Sequence, residues 1–555
     1  MISQSNLDKL ITSIIIFLLI TSCSPQRAAP QADNYRTIYK LQSAIQNHQI
    51  TCLEATQLFL KKIYQYNLSI DNRKAPLNAI SQINPDVLNQ ANALDKQYTA
   101  SNKIPGRLFC IPVIVKDNID VLGMETASGS YALIGTRPLH DSLLVSRLKK
   151  EGAIIIAKGA MDELAMGASG FSSLDGMVGN AYDTSKNPGG SSGGVAAAIA
   201  ANFALIGIGT DNSGSVRIPA AFNGLYGLRP TMGLIDKDGV FPMGNIDGTP
   251  GPIAQNVRDL AISLNVLSIK PIDYTNFLNH KMIVGKTVAV LGTAGNYDVW
   301  DGMPVDIKNI YAQAIDNLAK SGIKIRQLNL PNFDNNRKYH MAGTPDDVNT
   351  YLSHNIGSRN NMEEICTSDM SRVMGSISQC VKLVNGIADK NSQEYKQALA
   401  IIDKNIQYVT KIMHKEDIDA ILLPVSKSGS STYDLKQVNT WQAPISSNTG
   451  LPSIVIQIGH DKDKMPIAME IVGDKYSEGQ LLSIAYDYER HYMAYTPPQL
   501  VMSHKFDDWS ISQLNTLFRQ IGKNTYEMFI KPQNKNEVSA KQSYTATVQA
   551  IRDLN

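Results

Sequence analysis

With 555 residues, 43% hydrophobic and 18% charged, the chain has an ordinary globular composition and ample apolar content for a large core. Its 52 basic and 50 acidic residues leave a net charge of +2. That balance argues against a nucleic-acid-binding role and marks no like-charge interaction tail.

In chain order, the first feature is an apolar run of 11 residues, Leu10 to Ile20. A bilayer span needs about 20 residues, so the run suits the core of a signal peptide instead. It ends in Ile20-Thr21-Ser22-Cys23, which resembles a bacterial lipoprotein signal whose cysteine becomes the lipidated N-terminus. The plain alternative is a buried helix with an incidental cysteine. A polar stretch, SPQRAAPQADN, follows as a tether. This reading makes residues 1–22 a signal peptide and 23–40 a lipid-anchored tether. The mature protein is then exported and held at the bacterial cell envelope, periplasmic or at the cell surface. Cys52, Cys110, Cys366 and Cys380 show neither a CxxC pair nor zinc spacing. An oxidising compartment would permit disulfides, and Cys366 and Cys380 are near enough in sequence to pair.

Thr51-Cys-Leu-Glu54 reads as a capping box, followed by a helical face of Leu53, Thr56, Leu60, Ile63 and Tyr64. IPVIV at 111–115 is a short, continuous apolar run of the buried-strand kind. DSLLVSRLKKEGAIIIAKG reads as helix, Gly152, then a strand over 153–157. IYAQAIDNLAKSGIKIRQLNL repeats that order around Gly322, and 286–292 and 419–426 are further strands. Alternating helices and buried strands predict an α/β fold: one large domain over 41–495, a mixed, mostly parallel sheet with helices on both faces. After Pro497-Pro498 the composition turns polar, and residues 496–555 read as a peripheral extension, partly helical.

KNPGGSSGGVAAAIAAN, from Lys186 to Asn202, places four glycines and two serines before an alanine-rich helix. It could be a flexible linker, a phosphate cradle or a loop presenting a catalytic serine. No GxxxxGK[ST] supports the second. Lys116, at the end of the apolar run, is either a surface lysine or a desolvated one whose pKa is lowered enough to act as a neutral base. Downstream, GIGTDNSGSVRIPAAFNGLYGLRPT (207–231) begins with a glycine- and serine-rich turn, either a plain surface turn or a set of convergent N–H groups that would suit an oxyanion. The nine histidines form no motif.

FCIPVIVKDNID (109–120), AKGAMDELAMGAS (157–169), NPGGSSGGVAAAIAA, the 207–231 stretch, and DGTPGPIAQNVRDLA (247–261) together resemble the amidase signature family of Ser–Ser–Lys amide hydrolases. NTGLPSIVIQIG and PIAMEIVGD continue the likeness, which runs from about residue 50 to about residue 495. LNAISQINPDVLNQANALD is similar to bacterial peptide-amidase-like members, whereas MDELAMG resembles the glutaminyl-tRNA amidotransferase branch.

The resemblance implies Ser215 as nucleophile, Ser191 as a bridging serine after a cis bond from Gly190, and Lys116 as base. It implies an oxyanion hole from the backbone of Asn212, Ser213, Gly214 and Ser215, with Ser192 in support. Ser213 stands where many members carry glycine. The activity expected is hydrolysis of a linear small-molecule or peptide carboxamide through an acyl-enzyme, without metal or cofactor. The alternatives are a glutamine amidotransferase component and an inactive binding protein that keeps the fold. A neutral lysine base further implies activity that falls on the acid side, with an apparent pKa well below the usual lysine value of about 10.4.

Overall fold

Thr51 caps the helix Cys52–Tyr66: its side chain accepts from the Glu54 N–H, while Glu54 accepts from the Thr51 N–H. Ala55, Phe59 and Ile63 line the buried face of that helix. The computed structural model describes residues 30–69, 75–242, 244, 246, 248–335, 341–368, 389–432, 444–492, 495–525, 527 and 540–554. Cys23, Cys380 and the apolar run at 10–20 therefore lie outside the described residues. No described helix is long and apolar enough to cross a membrane.

The main sheet is built from β1 (Ile80–Ile83), β2 (Pro112–Lys116), β3 (Ile154–Gly159), β4 (Ile206–Asp211), β5 (Tyr226–Arg229) and β6 (Thr249–Ala254). The second half contributes β7 (Thr287–Ala294), β8 (Tyr297–Asp298), β9 (Lys324–Leu330), β10 (Ala420–Pro424), β11 (Ser453–His460) and β12 (Pro466–Gly473). Across the sheet the order is β1-β3-β2-β4-β6-β5-β11-β12-β10-β7, with β8 and β9 also paired to β7. The fold is thus a single large α/β domain with a mixed sheet flanked by helices.

Parallel pairing is confined to β3-β2-β4 on one side and β9-β7-β10 on the other. The strands between them run antiparallel. The two helix–glycine–strand segments of the sequence supply β3 and β9, one to each parallel group. β2, β3 and β4 are buried at every position, as strands covered on both faces must be, and so read as near-continuous apolar runs.

Polar composition after Pro498 conceals two amphipathic helices, Ile511–Thr525 and Ala540–Leu554. Leu514, Leu517, Phe518 and Ile521 form the buried face of the first. It covers the exposed edge of β1, where Asn515 accepts from the Ile83 N–H at 2.8 Å and donates to the Ile83 carbonyl at 2.9 Å. Closing an edge in this way removes a pairing template. The second helix docks on the short hairpin Phe171–Met177, with Thr547 Oγ1 accepting from the Met177 N–H.

Cys52, which opens its helix, is bonded to Cys110, two residues before β2. Their Cα atoms are 5.2 Å apart, within the span a disulfide requires. No spacing rule singled out this pair, because its partners are brought together only by the tertiary fold.

Candidate active site

The site sits where two parallel strands end. β2 and β4 run side by side, Val115 opposite Ile208, so Lys116 and Asp211 emerge at the same edge of the sheet. A crevice at the carboxyl ends of parallel strands is the usual place for ligands in such sheets. Between the strand ends lies the start of the helix Gly193–Ala200, preceded directly by Ser191 and Ser192.

Lys116 is fully buried, and its Nζ donates to Ser191 Oγ at 2.7 Å and to Thr210 Oγ1 at 2.9 Å. Burial pulls its pKa down from 10.5 to about 7, with Asp162 and Asp211 acting in the opposite direction. A large fraction of this lysine is therefore an uncharged amine at neutral pH. The Gly190–Ser191 peptide bond is cis. Ser192 N–H donates to the Ser215 carbonyl at 3.2 Å, which ties the two serine-bearing turns together. Ser191 and Ser192 are sealed from solvent, whereas Ser215 keeps 8% exposure, which makes it the least enclosed serine of the group.

The glycines of the 186–202 stretch answer to close approach. A Cβ on Gly190 would lie 1.9 Å from Asp162 Oδ2, and one on Gly194 would lie 2.4 Å from the Ala160 carbonyl oxygen. Asp162 anchors this contact, since its carboxylate accepts from the N–H groups of Ser169 and Gly170, both at 2.9 Å. Its own N–H donates to the Ser191 carbonyl at 3.1 Å.

Asp211 organises the turn that carries Ser215. Its carboxylate accepts from the N–H groups of Gly214 at 2.8 Å and Val216 at 3.0 Å, from Arg217 Nε and Nη2 at 3.0 Å, and from Arg229 Nη1 at 3.0 Å. Burial alone would raise its pKa, but the two guanidinium groups hold it well below the usual carboxylate range. Arg217 also reaches Glu470 at 2.7 Å and Ser447 at 3.1 Å.

The structure thus brings Lys116, Ser191, Ser192 and the 212–215 turn to one place. One expected detail changes: Gly214, anticipated among the oxyanion donors, gives its N–H to Asp211. The N–H groups of Ser213 and Ser215 have no partner among the described residues. Sequence reading missed Thr210, Asp211, Arg217, Arg229 and Glu470. A signal was present for two of them: Arg217 interrupts the apolar VRIPAAF, and Glu470 is the lone charge in the buried strand β12. No cluster of potential metal ligands exists among the described residues.

A cleft of about 290 Å3, its open mouth included, adjoins the site and is lined in part by Asn118, Ala165, Thr210, Asn212, Phe241 and Pro250. A lysine hydrogen-bonded to one serine and a second, less enclosed serine on the adjoining turn can generate an alkoxide-like nucleophile without histidine.

Comparison with known proteins matches residues 54–482 to the family described as Amidase. The chain is 31% identical over 483 residues to the glutamyl-tRNA(Gln) amidotransferase A chain of Alkaliphilus metalliredigens, covering 82% of this chain and 96% of that one. Among solved structures it is similar to the native peptide amidase of Stenotrophomonas maltophilia, with a TM-score of 0.75 and 26% identity over 84% of this chain and 99% of that one. An amidase family protein of Bacillus anthracis gives a TM-score of 0.73 at 26% identity, covering 84% of this chain and 92% of that one.

Proposed function

The chain is an enzyme of the amidase family, acting on amide carbon–nitrogen bonds, and on that premise we propose that it hydrolyses a linear carboxamide through a serine acyl-enzyme. The observation that carries the reading is the buried Lys116 Nζ, 2.7 Å from Ser191 Oγ, in a site where burial lowers its pKa to about 7. In the proposed sequence, uncharged Lys116 takes the Ser191 hydroxyl proton while Ser191 takes that of Ser215. Ser215 Oγ then bonds to the substrate carbonyl carbon. The resulting oxyanion faces the N–H groups of Ser213 and Ser215, with Asn212 beside them. Collapse breaks the carbon–nitrogen bond, and the proton held by Lys116 returns through Ser191 to the departing nitrogen. Water repeats the path in reverse, releasing the acid and restoring the Ser215 hydroxyl. Ser192, whose Oγ lies 3.4 Å from the Thr210 N–H and carbonyl, holds the Ser191 turn against β4.

A fluorophosphonate probe should label wild-type enzyme at Ser215. The Ser215→Ala variant should lose both labelling and amide turnover. Turnover retained in that variant would defeat the mechanism.

A second reading is favoured by the 31% identity to an amidotransferase component: ammonia released here would pass to a partner. Robust hydrolysis by the isolated chain, unchanged by any added partner protein, would exclude it. We also propose that the enzyme is exported and lipid-anchored through Cys23. The Cys52–Cys110 disulfide supports an oxidising compartment. Mass analysis of the mature N-terminus tests this: an unmodified Met1 would refute it.

A further inference from the structure

Asn118 lies two residues beyond Lys116, is 2% exposed, and lines the cleft beside the site. Its Nδ2 donates to Thr210 Oγ1 at 3.2 Å, the same oxygen that accepts from Lys116 Nζ. Its Oδ1 has no hydrogen-bond partner among the described residues. A buried carbonyl oxygen left without a donor costs free energy, so such atoms are rare unless something arrives to fill them. Thr210 ties this amide to Lys116, and Lys116 to Ser191, the relay that returns a proton to the departing nitrogen. The orphan oxygen thus belongs to a residue hydrogen-bonded to the same threonine as the relay lysine, at the wall of the adjoining cleft.

We propose that Asn118 is a substrate-contacting residue whose Oδ1 accepts an N–H of the scissile amide, and that the site selects unsubstituted carboxamides, which leave as ammonia. The inference rests on the hydrolase reading above. An unsubstituted carboxamide presents two N–H groups, so one is available to Asn118 in either orientation of the nitrogen. An N-alkyl amide has only one, and its substituent must enter a cleft walled by Ala165, Phe241 and Pro250. A site built to hydrogen-bond a substrate N–H rejects analogues that lack it far more strongly than one relying on apolar contact.

The experiment compares wild-type enzyme with Asn118→Ala and Asn118→Ser on a carboxamide, its N-methyl amide, and the aldehyde with the same acyl group. The aldehyde can add to Ser215 but carries no nitrogen. Wild type should favour the carboxamide over the N-methyl amide by at least about 100-fold, and the variants should lose about tenfold or more in kcat/KM on the carboxamide. Aldehyde affinity should stay within about twofold of wild type, and the acid limb of the pH profile should not move. Equal wild-type turnover of both amides, or undiminished carboxamide turnover in the variants, overturns the proposal. So does a parallel loss of aldehyde affinity or a shifted acid limb, since either places Asn118 behind Lys116 and not against substrate. If the variants do not fold, the wild-type amide comparison decides alone. Wild-type enzyme that cleaves no amide and takes no fluorophosphonate label sinks the hydrolase reading itself, a failure distinct from the others.

Discussion

Replacing Lys116 by methionine should abolish activity and stabilise the protein, with a pH dependence that identifies the cause. Lys116 has a folded pKa of about 7 against an ordinary 10.5. Below pH 7 the amine is charged in both folded and unfolded chains, and the folded state bears the full cost of holding that charge in a dry site. Between about 7 and 10.5 the unfolded chain binds the extra proton, so stability rises with pH; above 10.5 the cost is gone. At about 1.4 kcal/mol per pH unit, the full cost is about 5 kcal/mol, falling to about 1 kcal/mol at pH 9.5. Against this, Lys116→Met leaves Ser191 without its donor, a loss of about 1–3 kcal/mol. The variant should therefore be about 2–4 kcal/mol more stable than wild type at pH 6 and no more stable at pH 9.5. Urea unfolding midpoints of both proteins at pH 6, 7.5 and 9.5 measure the difference, in which every other titrating group cancels. A difference constant to within about 1 kcal/mol across that range would refute the reasoning, because it would mean the lysine is not depressed by burial. The wild-type kcat/KM should show its acid limb near pH 7, for the same reason.

Arg217→Met leaves Asp211 and Glu470 buried without their shared cation, and should cost about 3–5 kcal/mol in unfolding experiments, with loss of fluorophosphonate labelling as the Ser215 turn loosens. Gly190→Ala forces a Cβ toward the Asp162 carboxylate; displacing the Ser191 turn by about 1 Å should cut kcat roughly 100-fold, which steady-state kinetics would register. Removing the Cys52–Cys110 link, whose ends are 58 positions apart in sequence, should cost about 4 kcal/mol by loop entropy; thermal unfolding of a Cys52→Ser/Cys110→Ser double variant checks the figure, and reductant should reproduce the loss in wild type.

What the sequence made legible is what is local. The capping box at Thr51 and Glu54 depends on residues three apart, and the buried strand ending at Lys116 on an uninterrupted apolar run; both stand in the structure as read. The gathering of Lys116, Ser191 and the 212–215 turn was legible through family resemblance, because ordered motifs imply a shared fold. Partners supplied by distant chain were not. Glu470 meets Arg217 across 253 residues, and Asn515 meets Ile83 across 432; no periodicity encodes such pairings. The antiparallel middle of the sheet was hidden for a related reason. Helix–glycine–strand segments advertise parallel crossovers, while β5, β6, β11 and β12 are joined by connections with no such signature. Gly214 shows the limit at atomic scale: its position in the turn was clear, but the direction of its N–H depends on where the Asp211 carboxylate lies.

Two carboxylates stand near Lys116, yet the lysine remains easy to deprotonate, and the hydrogen bonds explain why. Asp211 is surrounded by donors, two guanidinium groups among them, so its charge is already neutralised before the ammonium could use it. Asp162 spends its oxygens on the N–H groups of the 169–170 turn, and burial raises its own pKa, which weakens it further as a counter-ion. The side-chain acceptors that Lys116 touches are hydroxyls, Ser191 and Thr210, which accept from a neutral amine as well as from an ammonium. The helix Gly193–Ala200 begins just beyond Ser192, and the positive end of its dipole faces the same region, adding a further reason for the proton to leave. The arrangement spends its negative charge on holding the Ser215 turn rigid and withholds it from the lysine. One set of residues thus fixes the nucleophile in position and, by the same hydrogen bonds, leaves burial to lower the pKa of the base.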